Sequence, residues 1–340
     1  MPLTSIADPL SLLNEIAEIA GDEARARWVA SRLAALGYTP HQDELGNVWA
    51  GNGRLMLVAH LDTVLEPAAV RRQGERWYGP AVGDNSSGIA VLLCVAEGLI
   101  NKGIILAFSV GEEGLGNLRG ARELVRRLRP QMLVAVDGYM PSVISQAVGS
   151  IRWRALFRGA GGHAWGDRDN PTPVPALAQA MAQLYALDRP VHTSLNVGRV
   201  WGGGAINAIP KEVGLELDIR ASEAKVLADL GQRSRGLLME AAQKFKVVLE
   251  LEVLGQRPAG STVTSEMLAA AKAALFEAGH EARFVPGSTD ASAGVEVGIP
   301  AMSVGVYVGG QAHTQEEWVE AASLHRGGKA LKHLVKQLGA

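Results

Sequence analysis

Short runs of consecutive apolar residues restrict the fold of this chain more than any other feature. They predict strands at about 54–60, 103–110 and 131–137. Segments with helical periodicity alternate with the strands and include predicted helices at 86–101 and 319–338. A strand without alternation of polar and apolar residues is expected to be buried on both faces. Strands that alternate with helices favour a parallel or mixed sheet with helices on both sides. The predicted fold class is therefore α/β, with a doubly wound mixed sheet.

The pattern changes near residue 150. SIRWRALFRG and EVGLELDIR alternate polar and apolar residues, as half-exposed antiparallel strands do. With predicted helices at 172–187 and 222–245, the element order from 150 to 254 is β-α-β-β-α-β, which is ferredoxin-like. The α/β pattern returns after about 257. We therefore predict one domain of residues 1–149 and 257–340, with residues 150–256 as an inserted α+β domain.

Composition excludes several classes of protein. The chain has 340 residues, 47% of them hydrophobic, and a formal net charge of −2, so it is expected to be globular and to bind neither nucleic acid nor an anionic membrane surface. Its one cysteine, Cys94, cannot form an internal disulfide, which fits a reducing compartment. We see neither a signal peptide nor an apolar run of about 18 residues that would span a membrane. A cytoplasmic protein is expected.

Acidic residues and histidines follow the predicted strands of the α/β part. Each of them alone has an ordinary explanation as a cap, a turn residue or a solvated side chain. Together they would meet at the carboxyl edge of one sheet, where so many negative charges need a counter-charge such as two divalent metal ions. Imidazole and carboxylate ligands suit Zn²⁺, with Co²⁺ or Mn²⁺ possible. The set is His60, Asp62, Asp84, Glu112, Glu113, Asp137 and His313.

A series of motifs resembles the M20 family of dinuclear metallopeptidases and amidohydrolases. This family includes carboxypeptidases, dipeptidases, tripeptidases and N-acyl-amino-acid deacylases. The resemblance covers about residues 55 to 320 and implies a zinc-peptidase-like catalytic domain interrupted by a lid domain that commonly forms a homodimer. The motifs are HLDTV, GPAVGDNSSGIAVLL, GEEGLG, VDG, GGHAWG, GGGAINAIP, LDIR and AHT.

The resemblance implies a set of metal ligands. Asp84 would bridge two ions; His60 and Asp137 would complete the site of one ion, and Glu113 and His313 that of the other. Asp62 would not be a ligand, but would hold the far nitrogen of His60 and fix its tautomer. The two-residue spacing of His60 and Asp62 puts both side chains on the same side of the strand end.

The resemblance also implies roles in catalysis and substrate binding. Glu112 would be the general base that takes a proton from the attacking water and passes it to the leaving nitrogen. The lid residue His163 would stabilise the oxyanion, often in the neighbouring subunit's site. Asn207 and Arg220 would hold the substrate, the arginine by a carboxylate, although a surface salt bridge is an equal alternative for Arg220. The loop at 286–294, with Ser288 and Asp290, resembles the substrate-contacting turn of the family.

Other classes of function have less support in the sequence. The chain has no G-x-S-x-G motif of a serine hydrolase, and Ser86 and Ser87 are explained as helix-capping residues. It also has no phosphate-binding G-x-G-x-x-G or G-K-[ST] motif. A non-catalytic binding protein on the same fold remains an alternative. Within the enzyme class, a peptidase acting on a small peptide and an N-acyl-amino-acid deacylase are both compatible with the sequence.

Overall fold

The computed structural model describes residues 8–339. The chain forms two compact units: residues up to 147 together with residues from 261 onward make the first unit, and residues 148–260 make the second unit. The helices are α1 Pro9–Ile16, α2 Asp22–Ala35, α3 Ser86–Ala96, α4 Arg119–Leu128, α5 Pro173–Tyr185, α6 Ala224–Lys244, α7 Ser265–Glu277, α8 Ala291–Val297 and α9 Ala321–Gln337.

The strands fall into four sheets. They are β1 His41–Gln42, β2 Val48–Gly51, β3 Leu55–His60, β4 Arg71–Gln73, β5 Arg76–Tyr78, β6 Ile104–Ser109, β7 Met132–Val136, β8 Ser142–Ala147, β9 Gly149–Arg158, β10 Gly162–His163, β11 Thr193–Gly202, β12 Ala208–Ile209, β13 Glu212–Ala221, β14 Val248–Arg257, β15 Arg283–Gly287, β16 Ala301–Val304, β17 Gly309–Gly310 and β18 Trp318–Glu320.

The main sheet of the first unit has the order β1-β2-β6-β3-β7-β16-β8-β15. Strands β6, β3, β7 and β16 run parallel, and β2 and β8 are antiparallel to their neighbours in this block. Every residue of β3 and β6 is buried. Along β3, Leu55 and Leu57 belong to one apolar cluster, while Met56 and Val58 belong to another on the opposite face. The predicted α/β fold with a mixed sheet is confirmed.

Helices cover both faces of this sheet. The larger cluster includes apolar residues of α1, α2, α3, α7 and α9, and the smaller one includes residues of α4 and α8. Burial of these side chains contributes about 25 cal/mol per Å² of apolar surface removed from water. Both faces of the sheet are therefore covered by apolar side chains, and polar functional groups can lie only at its strand ends and in the connecting loops.

A small four-stranded sheet of the first unit, with the order β17-β18-β5-β4, was not predicted. Its strands have two or three residues each and contain arginine and glycine, so they lack the alternation that predicts a strand. Strand β18 pairs with β5, and Trp318 lies opposite Tyr78. This sheet matters for the site because the loop that follows β5 carries Asp84, and the loop that precedes β18 carries His313.

The second unit contains a four-stranded antiparallel sheet with the order β11-β13-β9-β14. Trp153 and Phe157 of β9 pack in an apolar cluster with residues of α5 and α6. Arg154, between them, lies on the other face, where it pairs with Glu216 of β13 and Glu252 of β14. The element order of this sheet and its two helices is the ferredoxin-like order expected from the sequence.

Several predicted boundaries differ from the structure. The helix predicted at 86–101 ends at Ala96 and continues as a short 3₁₀ helix, and the helix predicted at 319–338 begins at Ala321 because residues 318–320 are a strand. Strands β8 and β15 were missed because their polar, half-exposed residues resemble a loop. Within residues 8–339, no helix combines the length and the apolar character that a bilayer span requires.

Candidate metal centre

Three strand ends of the main sheet bring candidate ligands together. His60 is the last residue of β3, Glu113 follows β6, and Asp137 follows β7 directly. Strands β6 and β7 flank β3 and run parallel to it, so their carboxyl ends lie at the same edge. Atoms of His60, Asp84 and Glu113 that can bind a metal lie within 4.8 Å of one another.

Asp84 lies between two imidazole rings. Its Oδ1 is 2.9 Å from Nε2 of His60, and its Oδ2 is 3.0 Å from Nε2 of His313. The same Nε2 of His313 is 3.0 Å from Oε1 of Glu113. Each oxygen of one carboxylate therefore faces a different histidine, as expected of a carboxylate that bridges two ions.

The tautomer of His60 fits a metal ligand. Its Nδ1 lies 2.9 Å from the main-chain oxygen of Asp62, and a carbonyl oxygen can only accept, so Nδ1 carries the proton. Nε2, which faces Asp84, is then the nitrogen that remains to bind a metal ion. Ligand atoms at about 2.1 Å from a shared zinc ion are about 3.4 Å apart in tetrahedral geometry, so the separations of 2.9–3.0 Å would widen by about 0.4 Å around an ion. The residue types fit a divalent metal ion.

The role of Asp62 differs from the predicted one. Its carboxylate was expected to hold Nδ1 of His60, but the nearest carboxylate oxygen is 3.8 Å away, and the main-chain oxygen makes the contact instead. The carboxylate accepts hydrogen bonds from the backbone N–H groups of Glu112, at 3.1 Å, and Glu113, at 2.8 Å. Both oxygens are thus committed to the loop after β6, and Asp62 joins that loop to the end of β3.

Two further residues connect the loop of Asp84 to its neighbours. At the N-cap position of α3, Asn85 makes no side-chain cap hydrogen bond; its Nδ2 donates instead to the oxygen of Val136, just before Asp137. Glu317, which sequence reasoning missed, accepts hydrogen bonds from the backbone N–H groups of Gly83 and Asp84. A glutamate beside a second glutamate in HTQEEW looks solvated in the sequence, and only the fold reveals its burial.

Ser86 and Ser87 also make other contacts than the expected caps. Oγ of Ser86 accepts a hydrogen bond of 3.0 Å from Nη2 of the fully buried Arg25, and Oγ of Ser87 donates to the oxygen of Val82. Nη1 of Arg25 also donates to the oxygen of Ile16, the last residue of α1. Arg25 therefore joins the end of one helix to the first residue of α3.

Mutual interactions shift the pKa values of the cluster. Burial alone would lower the pKa of His60, but its hydrogen bond to Asp84 and the nearby carboxylates raise that pKa well above its usual value. Hydrogen bonding to Asp84, partly opposed by burial, raises the pKa of His313 to about 9. Burial would raise the pKa of Asp84, but the two histidines hold it below its usual range. Burial and the charge of Asp84 raise the pKa of Asp137.

Asp290 is another buried carboxyl group close to this cluster. Asp290 is 2% exposed, and one of its oxygens accepts a hydrogen bond from Oγ of Ser109, the last residue of β6. Its other oxygen has no hydrogen-bond partner within the described chain. Burial, and then the negative charge of Glu112, raise the pKa of Asp290 to about 7. Ser288, the other residue of the predicted substrate-contacting turn, is half-buried two positions earlier.

The second unit brings two of its three predicted site residues together. Strands β10 and β12 pair so that His163 lies opposite Ala208, and the N–H of Ala164 donates to the oxygen of Asn207. Both His163 and Asn207 are exposed. Arg220, on β13, is held by the carboxylate of Asp218, with contacts of 2.9 and 3.2 Å from Nε and Nη2. The salt bridge considered for Arg220 is therefore present.

The sequence of this chain is similar to those of several curated proteins. The chain is 25% identical over 317 residues to a putative [LysW]-lysine/[LysW]-ornithine hydrolase of Pyrobaculum aerophilum, covering 87% of this chain and 86% of the relative. The matches between this chain and two other curated relatives span only 59% and 61% of the lengths of those relatives.

Solved structures share the fold. A tripeptidase of Staphylococcus aureus matches with a TM-score of 0.81 at 20% identity, covering 96% of this chain and 97% of that one. A dinuclear metal-binding peptidase of family M20 from Bacillus subtilis matches with a TM-score of 0.70 at 14% identity over 98% of both chains. The family model described as peptidase family M20/M25/M40 matches residues 56–337, which confirms the resemblance. This chain therefore belongs to peptidase family M20/M25/M40.

Proposed function

We propose that this protein is a metal-dependent hydrolase that cleaves the amide bond of a small peptide with two zinc ions. The observation that carries the proposal is the position of Asp84, whose two oxygens each face the Nε2 atom of a different histidine. The same ligands would also accept Co²⁺ or Mn²⁺. A non-catalytic binding protein has less support, because the chain keeps every ligand that the family resemblance implies and the glutamate beside them.

The chain's own residues would divide the two ions between them. His60 and Asp137 would hold one ion, Glu113 and His313 the other, and Asp84 both. When bound, the ions would polarise the substrate carbonyl and lower the pKa of water. The cluster holds more carboxylates than histidines. Burial and the charge of Asp84 disfavour the ionised form of Asp137 and so raise its pKa, and a bound cation would compensate for this unfavourable negative charge.

Glu112 would act as the general base. Its backbone N–H is fixed by the carboxylate of Asp62, and the residue is 6% exposed, directly before the ligand Glu113. In this position it would take a proton from the attacking water and return it to the leaving nitrogen.

His163 would donate a hydrogen bond to the oxyanion. Its Nδ1 lies 3.2 and 3.3 Å from the backbone N–H groups of Trp165 and Gly166, so Nδ1 accepts. In the neutral imidazole the proton is then on Nε2. That N–H group is the kind of donor that a developing negative charge on oxygen requires.

The substrate is proposed to be a small peptide with a free carboxylate. Asn207 and Arg220 would hold it, and Asp218 orients the guanidinium group through two contacts. The names of two similar proteins, a tripeptidase and a [LysW]-lysine/[LysW]-ornithine hydrolase, support an amide substrate. An N-acyl-amino-acid deacylase would use the same mechanism and remains the second candidate.

The first experiment combines elemental analysis with an activity panel. We expect about two divalent ions per chain and cleavage of some dipeptides, tripeptides or N-acetyl-amino acids that stops when a chelator removes the metal and returns when Zn²⁺ is restored. The panel distinguishes peptidase from deacylase. Protein that cannot be loaded with metal, or that cleaves no amide, would contradict the proposal.

The variant Glu112→Gln tests the general base. The amide has nearly the same shape but cannot take the proton, so we expect kcat to fall by about 10²–10⁴-fold. Metal content, measured by elemental analysis, should stay at the wild-type value because Glu112 is not a ligand. An active Glu112→Gln protein would rule out the assigned base, and a metal-free one would mean that Glu112 helps to hold an ion.

We also propose that the second unit acts as a lid and forms a homodimer. Sedimentation would give the oligomeric state, and mixing two inactive variants tests the origin of His163. If this histidine acts in the neighbouring subunit, hybrids of Glu112→Ala and His163→Ala regain one complete site, giving about a quarter of wild-type activity in an equal mixture. If it acts in its own subunit, the mixture stays inactive.

A further inference from the structure

Glu317 is a buried acidic residue for which the mechanism above has no role. It is 1% exposed and directly precedes β18. Its Oε1 accepts two hydrogen bonds, from the N–H of Gly83 at 3.1 Å and from the N–H of Asp84 at 2.8 Å. Its main-chain oxygen accepts a third, from the N–H of Gly79 at 2.9 Å. One residue therefore holds both ends of the 79–84 segment.

The space around Gly83 matches this contact. A Cβ atom at position 83 would lie 2.5 Å from Oε1 of Glu317 and 2.9 Å from Oη of Tyr307. Any side chain there would therefore push the carboxylate away from the two N–H groups. Because Tyr307 is fully buried, the carboxylate has little room to retreat on that side. The absence of a side chain at Gly83 thus leaves the space that the carboxylate of Glu317 occupies.

The same contact joins the two loops that carry candidate ligands. Asp84 follows Gly83 directly, and His313 lies in the loop that ends at Glu317. Oδ2 of Asp84 is 3.0 Å from Nε2 of His313, so the relative position of these loops sets this separation. A carboxylate that fixes the peptide plane before Asp84 also fixes the direction in which the Asp84 side chain leaves the backbone.

We propose that Glu317 is a positioning residue that orients Asp84 between His60 and His313 and thereby sets the affinity for the two metal ions. It is not among the residues proposed to hold the substrate or an ion. The inference rests on the proposed metal centre. Residues that hold a metal ligand from behind typically change metal affinity by about 10–100-fold when removed, and a buried acceptor that is lost leaves its donors unpaired.

The test is a Co²⁺ titration of the metal-free full-length protein, followed by visible absorption, with Tm measured on the same samples. Glu317→Ala should weaken Co²⁺ binding by about 10–100-fold and change the absorption band of the bound ion. Glu317→Gln keeps an acceptor oxygen and should bind within about threefold of the wild type. Glu316→Ala is the matched control, because Glu316 is exposed and pairs with Arg71; its titration should match the wild type.

Gly83→Ala provides a second test if Glu317→Ala does not fold. The added methyl group displaces the same carboxylate, and the same loss of Co²⁺ affinity is expected, with KM nearly unchanged and kcat reduced. Folded Glu317→Ala or Gly83→Ala protein that binds Co²⁺ as the wild type does would overturn the inference, as would a Glu317→Gln variant as weak as Glu317→Ala. If the wild type itself binds no Co²⁺, the proposed metal centre fails instead.

Discussion

Charged side chains have different surroundings in the two units of the molecule. In the first unit, the carboxyl groups of Asp62, Asp290 and Glu317 are buried, and each accepts at least one hydrogen bond from a backbone N–H or from Ser109. In the second unit, the outer face of the sheet carries exposed ion pairs such as Arg158–Glu250. A buried charge that loses its partners costs several kcal/mol, whereas an exposed ion pair contributes about 0–1 kcal/mol.

This contrast suggests a division of tasks. Metal ligands must stay within a few tenths of an ångström of their positions, and buried, multiply bonded side chains provide that accuracy. His163, the proposed oxyanion donor, and Asn207, a proposed substrate-binding residue, lie in an exposed two-stranded arm. Substitutions of the same type should therefore have large effects on stability and metal binding in the first unit and small effects on both in the second, and the following changes test this expectation.

The largest effect is expected for Asp84→Asn. The amide can donate as well as accept, and it cannot offer two anionic oxygens to a pair of ions, so metal content and activity should both fall by more than about 100-fold, beyond the range seen for outer partners. Elemental analysis and the activity panel measure the change. Glu250→Gln, on β14 of the second unit, is the control and should leave both quantities at wild-type values. Two ions in Asp84→Asn would contradict the assigned bridge.

Asp290 is expected to make the stability of the metal-free protein depend on pH. Its pKa of about 7 in the folded chain lies above the ordinary value of 3.8 because of burial, with Glu112, His60 and Asp62 as its charged neighbours. A raised pKa means that the folded state binds the proton more tightly, so this stability is present below about pH 4 and is lost as pH rises through 7. Relative to Asp290→Asn, the free energy of unfolding should fall by up to about 4 kcal/mol over that range.

Urea unfolding of chelator-treated wild type and variant at several pH values gives this difference. The control is Asp229→Asn in the second unit, because Asp229 is exposed and pairs with Arg233 on the same helix. Parallel pH profiles of wild type and Asp290→Asn would show that the buried carboxyl does not control stability.

Two helical glycines, one in each unit, extend the comparison of the two units to side-chain packing. At Gly88, in α3, a Cβ atom would lie 1.9 Å from Oδ1 of Asn85 and 2.4 Å from the oxygen of Val136. Gly88→Ala must therefore displace the side chain that joins Asp84 to the strand before Asp137. We expect it to destabilise the fold by about 2–3 kcal/mol and to weaken metal binding, as measured by urea unfolding and Co²⁺ titration.

Gly236, in α6 of the second unit, is the matched position. A Cβ atom there meets nothing within 4 Å, and alanine is the better helix former. Gly236→Ala should stabilise the protein by about 0.5–1 kcal/mol without any change in metal affinity. A destabilised Gly236→Ala variant would mean that the second unit is less tolerant than its exposed surface indicates.

The features that were predicted from the sequence are those that depend on residues close together along the chain. Apolar runs predicted the central strands, and strand-end His60 and Asp137 were identified because a parallel sheet gathers such ends at one edge. The structure brings His60, Asp84, Glu113 and His313 close together, as expected, but not all of the contacts around them were predicted. Asp62 was expected to bind the ring of His60, yet its carboxylate holds the backbone of a loop about fifty residues away.

What was missed depends on contacts between distant segments. Strands β5 and β18 are too short to have a pattern, and each exists because the other pairs with it. Glu317 is buried only because the 79–84 segment folds over it. Propensity and periodicity describe a window of residues, so a carboxylate whose partners lie more than two hundred positions away has no signal in its own window.

The pairing of Asp84 with His313 spans 229 positions of the sequence, and this has a consequence for synthesis on the ribosome. The second unit comes from one continuous segment, so its sheet can assemble as soon as residue 260 has left the exit tunnel. The proposed metal centre cannot assemble until residues 313–320 have emerged, because they carry His313 and β18. A nascent chain stalled before residue 313 should therefore contain a folded insertion and no complete metal centre.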